Sequence, residues 1–281
     1  MSAEPIFMGA ESRLFGVRQM PESDTQDVAV LLLNAGVLHS AGPFRLHVSL
    51  SNRLSSRGFP VFRIDLSGKG ESPRRPGMDR TSSVLADFDD VYSELQAVGI
   101  NRVILVGLCW GADDAILIAS ERDAVVGIVA LDGFAFRNWR FSVWSILNRL
   151  RTRRFWKRQW LRLTGRGKQL RGRKANASFE QNIALRDWPE QNEMIRRYDV
   201  ALGRGVDMLC VFTRGQDYYN HHGQLDENLR DHCDTSLLQE VFYPDTDHTF
   251  SLTDYRERLI NLIDDWAGKS FSQNSARERQ L

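Results

Sequence analysis

The amino-acid sequence predicts an α/β fold, a mostly parallel, doubly wound sheet interrupted once by a helical insertion. Six short runs, Val28 to Leu33, Pro60 to Leu66, Arg102 to Leu108, Val125 to Leu131, Asp207 to Thr213 and Leu237 to Tyr243, are apolar along most of their length instead of at alternate positions. That is the composition of strands covered on both faces, as in a parallel sheet. Helical patterns separate the runs, and parallel neighbours require such crossovers. The alternation lapses between Leu131 and Asp207, too long a stretch to cross a compact domain without structure of its own.

In chain order, "PIFMGA" and "RLFGVRQM" predict an antiparallel pair at the sheet edge. The helices are predicted over "PFRLHVSLSNRLSSRG" ending at Gly58, "SSVLADFDDVYSELQAVG" ending at Gly99, the segment after Gly111, and "TDYRERLINLIDDWAGK" near the end. Terminal glycines suit helix ends because they accept a left-handed backbone. The expected organisation is a core of residues 1–132 and 206–269, a helical cap over 133–205, and a polar, disordered tail over 270–281. No internal repeat is visible.

With 281 residues, 42% hydrophobic and 26% charged, the chain can bury one sizeable core. No apolar run approaches the roughly 18–20 residues of a membrane span, and "MSAEPIFMGAESR" lacks a basic region followed by a hydrophobic one, so a cytoplasmic protein is expected. Cys109, Cys210 and Cys233 have no metal-ligand or disulfide-framework spacing and are expected to be free thiols; no cofactor or metal is expected. The net charge of +1 conceals fourteen Lys and Arg between Arg137 and Lys174 with no Asp or Glu among them. Eight Phe or Trp lie between Phe134 and Trp160. This basic cap reads as a solvated helix face, as a steering surface for a CoA- or carrier-protein-linked thioester, or as a peripheral contact with an anionic membrane. Nucleic acid is disfavoured, because no nucleic-acid module accompanies the charge.

The chemistry centres on Gly107-Leu108-Cys109-Trp110-Gly111, where a strand turns directly into a helix. In a GxSxG elbow the small residues let strand and helix approach while the central side chain projects above the sheet. Here that side chain is the Cys109 thiol, and the following helix N-terminus favours its thiolate. A nucleophile of this kind needs a base, and the base needs a carboxylate to orient it. His248 in "DHTFS" follows the last strand, where the order nucleophile, acid, histidine requires it. Asp217 in "RGQD" is the expected acid and Asp132, at the end of the preceding strand, the alternative. Asp245 and Asp247 read as loop caps. The backbone N–H groups of Trp110 and of Val37 or Gly36 are the expected oxyanion donors. His39 borders the presumed site, while His47, His221, His222 and His232 read as solvated or loosely packed.

Together these residues, with "DLSGKGES" (Asp65 to Ser72), resemble the α/β-hydrolase fold superfamily over nearly the whole chain. More narrowly, "NAGVLHSAGPFR", "GLCWGAD", "RGQD" and "DHTFS" are similar to segments of the hydrolase family associated with exosortase A systems, with its GLCxGA elbow and ADHTFS motif. The chain departs from that family at Asn34-Ala35, at Trp110 and in its basic cap. Dienelactone hydrolases and polyhydroxyalkanoate synthases share a GxCxG elbow, but the former lack so long an insertion and the latter are longer. The resemblance implies an acyl hydrolase, an esterase or thioesterase with a Cys109–His248–Asp217 triad and a covalent acyl-thioenzyme. An acyltransferase and a catalytically inactive binding scaffold are the alternatives.

Overall fold

A computed structural model describes residues 2–22, 25–151, 186 and 188–271. Most of the basic segment expected as a cap, residues 152–185, and the last ten positions of the expected tail lie outside the described residues.

Eight strands form one sheet in the order β1-β2-β4-β3-β5-β6-β7-β8. They are β1 (Ala3–Met8), β2 (Leu14–Gln19), β3 (Val28–Leu33), β4 (Val61–Ile64), β5 (Arg102–Leu108), β6 (Val125–Leu131), β7 (Asp207–Thr213) and β8 (Leu238–Tyr243). β2 is antiparallel to β1 and to β4; every other pairing is parallel. This is the α/β-hydrolase fold, with the expected antiparallel pair at one edge.

The helices are α1 (Leu46–Ser56), α2 (Arg80–Ala97), α3 (Trp110–Glu121), α4 (Trp139–Arg151), α5 (Gln191–Gly203), α6 (Gln224–Leu229) and α7 (Thr253–Phe271). Successive strand side chains point to opposite faces. In β3, Val28, Val30 and Leu32 enter the core beneath α1 and α7, whereas Ala29, Leu31 and Leu33 enter the one beneath α2, α3 and α5. Both cores are apolar, which is why β3 is buried at every position. The last helix runs past the expected core boundary at 269: Phe271 packs edge-on against Trp266, with ring centroids 5.3 Å apart. Among the described residues no helix is long and apolar enough to cross a membrane.

β3 lies between β4 and β5, so the chain winds outward in both directions from it. A crevice opens at such a switch point, beyond the carboxyl ends of the strands. The loop after β3 and the turn after β5 both lead there. Between β5 and α3 only Cys109 intervenes, and a Cβ on Gly107 would overlap the Gly111 backbone, which no rotamer change can relieve. Gly107→Ala is therefore expected to destabilise the fold by about 2–3 kcal/mol. Gly203→Ala, in α5 where a Cβ meets nothing within 4 Å, is expected to be neutral or to stabilise by up to about 1 kcal/mol. Urea denaturation of both variants checks the contrast, and equal midpoints would contradict it.

Candidate active site

Cys109 has φ 58° and ψ −115°, outside the regions an L-residue prefers. The conformation is over-determined by its surroundings. Cys109 N–H donates to the Leu131 carbonyl at 2.8 Å, and the Cys109 carbonyl accepts from Ala112 at 3.0 Å and Asp113 at 3.2 Å. A Cβ on Gly111 would sit 2.5 Å from the Asn34 carbonyl oxygen, so the second elbow glycine is what lets α3 lie against the end of β3. Asn34 ties that strand end to the turn after β4: its amide donates to Asp65 at 2.7 Å and its carbonyl accepts from Leu66 N–H at 2.7 Å.

His248 stands on the loop after β8. Asp247 shapes that loop by accepting from the backbone and hydroxyl groups of Thr249 and Ser251. Burial pushes its carboxyl up, but these hydrogen bonds outweigh it and bring the group down to about 2. The loop-cap reading of Asp247 thus holds.

The carboxylate facing His248 is Asp132, with Nδ1 to Oδ2 at 2.6 Å. This corrects the expectation of Asp217. Asp132 is fully buried at the end of β6, with φ 49°, and it also accepts from Thr213 N–H (2.7 Å), Thr213 Oγ1 (2.6 Å) and Gln216 Nε2 (3.2 Å). After β7 the chain turns at Gly215 (φ 100°); Gln216 reaches inward to Asp132 and Asp217 is exposed. The Asp217 backbone carbonyl accepts from Arg137 Nε at 2.6 Å, and its carboxylate makes no hydrogen bond among the described residues. Gln216 Nε2 also approaches His248 Nδ1 to 2.8 Å. With Nδ1 protonated toward Asp132, the two nitrogens are neighbouring donors to one oxygen.

Nδ1 being occupied by Asp132, Nε2 is the ring nitrogen that remains. Burial pushes the His248 imidazole down in pKa, but hydrogen bonds and charge from Asp132 and Cys109 outweigh it and raise it from 6.5 to about 10.

Cys109 and His248 open onto one cavity of about 290 Å³. Ala35, Leu38, Pro43, Leu108, Trp188 and Tyr218 give it largely apolar walls, and Gly36, Val37, Trp110 and Asp217 also line it. The Trp110 N–H belongs to the first turn of α3, where the helix itself provides no acceptor. Gly36 has φ 61°, and Val37 is exposed at the cavity mouth. His39 is exposed on the same loop, where its Nδ1 accepts from Ala41 N–H at 3.2 Å, and it does not line the cavity.

Two features of the site escape the sequence reading. Arg186, buried against the cavity, makes a two-pronged ion pair with Asp113 of α3 (2.7 and 2.8 Å) and donates to the Asp132 carbonyl at 3.2 Å. Its guanidinium lies over the rings of Phe134, Trp188 and Tyr218 at 4.4, 5.1 and 5.5 Å. Burial lifts the Asp113 carboxyl to about 6 against the pull of Arg186. Lys69 and Arg80 lie 6.0 and 5.6 Å from the centre of the Trp110 ring, and both pair with buried Asp114.

Two histidines read as solvated or loosely packed are buried. His221 is held by Asn220 (3.0 Å) and Glu227 (3.2 Å) and lies parallel to Trp144. His47 is wholly enclosed between α1 and the sheet, and burial lowers it to about 4. Cys109, Cys210 and Cys233 are free thiols.

The profile of the Alpha/beta hydrolase family matches residues 30–262, most of the chain. The chain belongs to the alpha/beta hydrolase family. Solved structures of similar fold include the thioesterase domain from the curacin biosynthetic pathway (15% identity, TM-score 0.57, covering 94% of this chain and 99% of that one). An esterase from Pyrococcus furiosus aligns at 13% identity and TM-score 0.58, covering 96% and 92%. Mouse alpha/beta hydrolase domain-containing protein 10 aligns at 15% and 0.56, covering 96% and 99%. At these identities the likeness is one of fold. No curated protein matches the sequence.

Because the pKa of His248 in this hydrolase fold lies above its free value, its contribution to stability is complete below about pH 6.5 and is lost as pH rises through about 10. The stability difference between wild type and His248→Ala is expected to be largest near pH 6 and to narrow toward pH 10. Urea denaturation at the two pH values measures it; a gap that widens with pH contradicts the assignment.

Proposed function

We propose that the chain is an acyl hydrolase acting on esters or thioesters through Cys109, His248 and Asp132, with a covalent acyl-thioenzyme. The observation that carries this reading is the strained Cys109 elbow, whose thiol opens onto the same cavity as the imidazole that Asp132 holds at 2.6 Å. A protonated imidazole beside sulfur is the partner a thiolate needs.

In this mechanism Cys109 sulfur attacks the substrate carbonyl carbon while its proton resides on His248 Nε2. The carbonyl oxygen gains the charge and is held by N–H groups of Trp110 and of Val37 or Gly36, each worth about 10²–10³ in rate by analogy with other oxyanion donors. Collapse breaks the bond to the leaving thiol or alcohol, which takes the proton from His248. Water then attacks the acyl-enzyme, giving a proton to His248, and a second collapse frees the acid and returns the proton to sulfur. Asp132 keeps Nδ1 protonated and aims Nε2 at sulfur throughout. A thiolate is also a good leaving group, which suits thioesters and activated esters better than amides. The apolar walls of the cavity fit an acyl chain.

The segments "GLCWGAD" and "DHTFS" support a place near the exosortase A-associated hydrolases, and three free thiols support a cytoplasmic setting. The fourteen basic residues between Arg137 and Lys174 support an anionic carrier on the substrate, CoA or a carrier protein, or an acidic membrane surface nearby.

Asp132→Asn is expected to lower kcat/KM for an aryl ester by about 10²-fold or more, because Nδ1 loses the partner that fixes its tautomer. Asp217→Asn is expected to cost far less, and steady-state kinetics of the two variants decides between the carboxylates; the reverse order restores Asp217 as the acid. His248→Ala is expected to slow alkylation of Cys109 by iodoacetamide at least tenfold. Intact-mass measurement after exposure to acyl thioesters and aryl esters reads the reaction itself. Turnover in water through a Cys109 adduct fits hydrolysis, an adduct cleared only by an added nucleophile reassigns the chain to acyl transfer, and no adduct reassigns it to a binding scaffold.

A further inference from the structure

A second cavity, of about 380 Å³, adjoins the first across Val37 and Trp110, which line both. Its other walls are the turn after β4, from Leu66 through Arg75, and the first turn of α2. Where the first cavity is walled by apolar side chains, this one brings together Lys69, Arg74, Arg75 and Arg80.

The charges divide unequally. Lys69 and Arg80 share one carboxylate, Asp114, which is fully buried beneath them, so the wall beside Trp110 carries a surplus cation. Arg74 has no ion pair among the described residues and is exposed. Arg75 is neutralised at the far end by Asp87 and Asp90. Asp79 is the one acidic residue in the lining, and it is occupied as the N-cap of α2, accepting from Ser82 N–H at 3.0 Å and Ser82 Oγ at 2.7 Å. The helix N-terminus adds its own partial positive charge. The surplus therefore concentrates next to the candidate nucleophile's neighbour, Trp110, with Arg74 free to swing onto a ligand.

We propose that this second cavity receives the phosphate of an anionic leaving group while the acyl chain occupies the first. The inference rests on Cys109 being the nucleophile, since that is what makes the two chambers the two sides of one scissile bond. Val37 and Trp110, whose backbone the mechanism uses at the carbonyl oxygen, then form the partition between acyl and carrier. The cations that would hold the phosphate belong to the turn after β4 and to the start of α2, so the site does not depend on the basic segment.

Two measurements on the full chain test this. The first is the ratio of kcat/KM for butyryl-CoA to that for the neutral butyryl N-acetylcysteamine thioester. It is expected to be tenfold or more in favour of CoA, to fall about tenfold in Arg74→Glu, and to fall likewise in Ser83→Asp, which places a negative charge on the opposite wall. A ratio near one, or one that both variants leave intact, overturns the proposal. The second is calorimetric binding of free CoA and of 4′-phosphopantetheine, which requires no turnover. Binding that weakens in 0.5 M salt and in both variants is expected; CoA bound tighter than phosphopantetheine assigns the site to the nucleotide-bearing carrier, and equal binding assigns it to the arm shared with carrier proteins. Turnover of the neutral thioester without binding of either probe sinks the phosphate site and leaves the catalytic reading standing. Binding without any Cys109 adduct does the opposite.

Discussion

Four donors converge on the Asp132 carboxylate, and they come from separate parts of the sheet's carboxyl edge: two from Thr213 at the end of β7, one from Gln216 in the loop beyond it, and one from His248 after β8. A buried carboxylate survives as an anion only when its acceptor sites are filled and a cation stands near. Here the four donors fill those sites, and His248, whose pKa the contact raises, is the neighbouring group able to carry positive charge. The same group that orients His248 thus fixes the ends of β6, β7 and the loop after β8 relative to one another, and the site's geometry follows from satisfying one charge.

Five of the six parallel strands are legible in the sequence because a strand covered on both faces has no polar side to interrupt its apolar run, as β3 illustrates; β8, half-buried at the sheet edge, is legible from its remaining apolar residues. Cys109 and His248 are legible for a different reason: elbow spacing and chain order are backbone constraints that leave marks at fixed positions. The choice between Asp132 and Asp217 is not legible, because both follow a strand end directly. It is decided by the Gly215 turn, which sends Gln216 inward and leaves Asp217 exposed. Arg186 is hidden for a compositional reason, since one arginine in an arginine-rich insertion carries no distinguishing pattern. His221 sits in polar sequence yet is buried, because its partners Asn220 and Glu227 satisfy both ring nitrogens.

The elbow separates two environments of opposite character. On one side aromatic and aliphatic walls surround the thiol, with Arg186 withdrawn into an ion pair and stacked among rings. On the other, the Lys69 to Arg80 turn gathers cations around one carboxylate. Trp110 and Val37 stand between them, so a single pair of residues borders both the apolar chamber and the charged one.

Asp113 and Asp114 are adjacent on α3, both buried, and are claimed from opposite flanks: Asp113 by Arg186, Asp114 by Lys69 and Arg80. Rotating α3 by one residue, about 100°, would pull both carboxylates from their cations at once and leave the buried Asp113, Asp114 and Arg186 charges without partners. The helix is in this way keyed like a plug with two offset pins. Its angular setting, and with it the direction in which the elbow aims the sulfur, is specified twice by electrostatics before packing is considered.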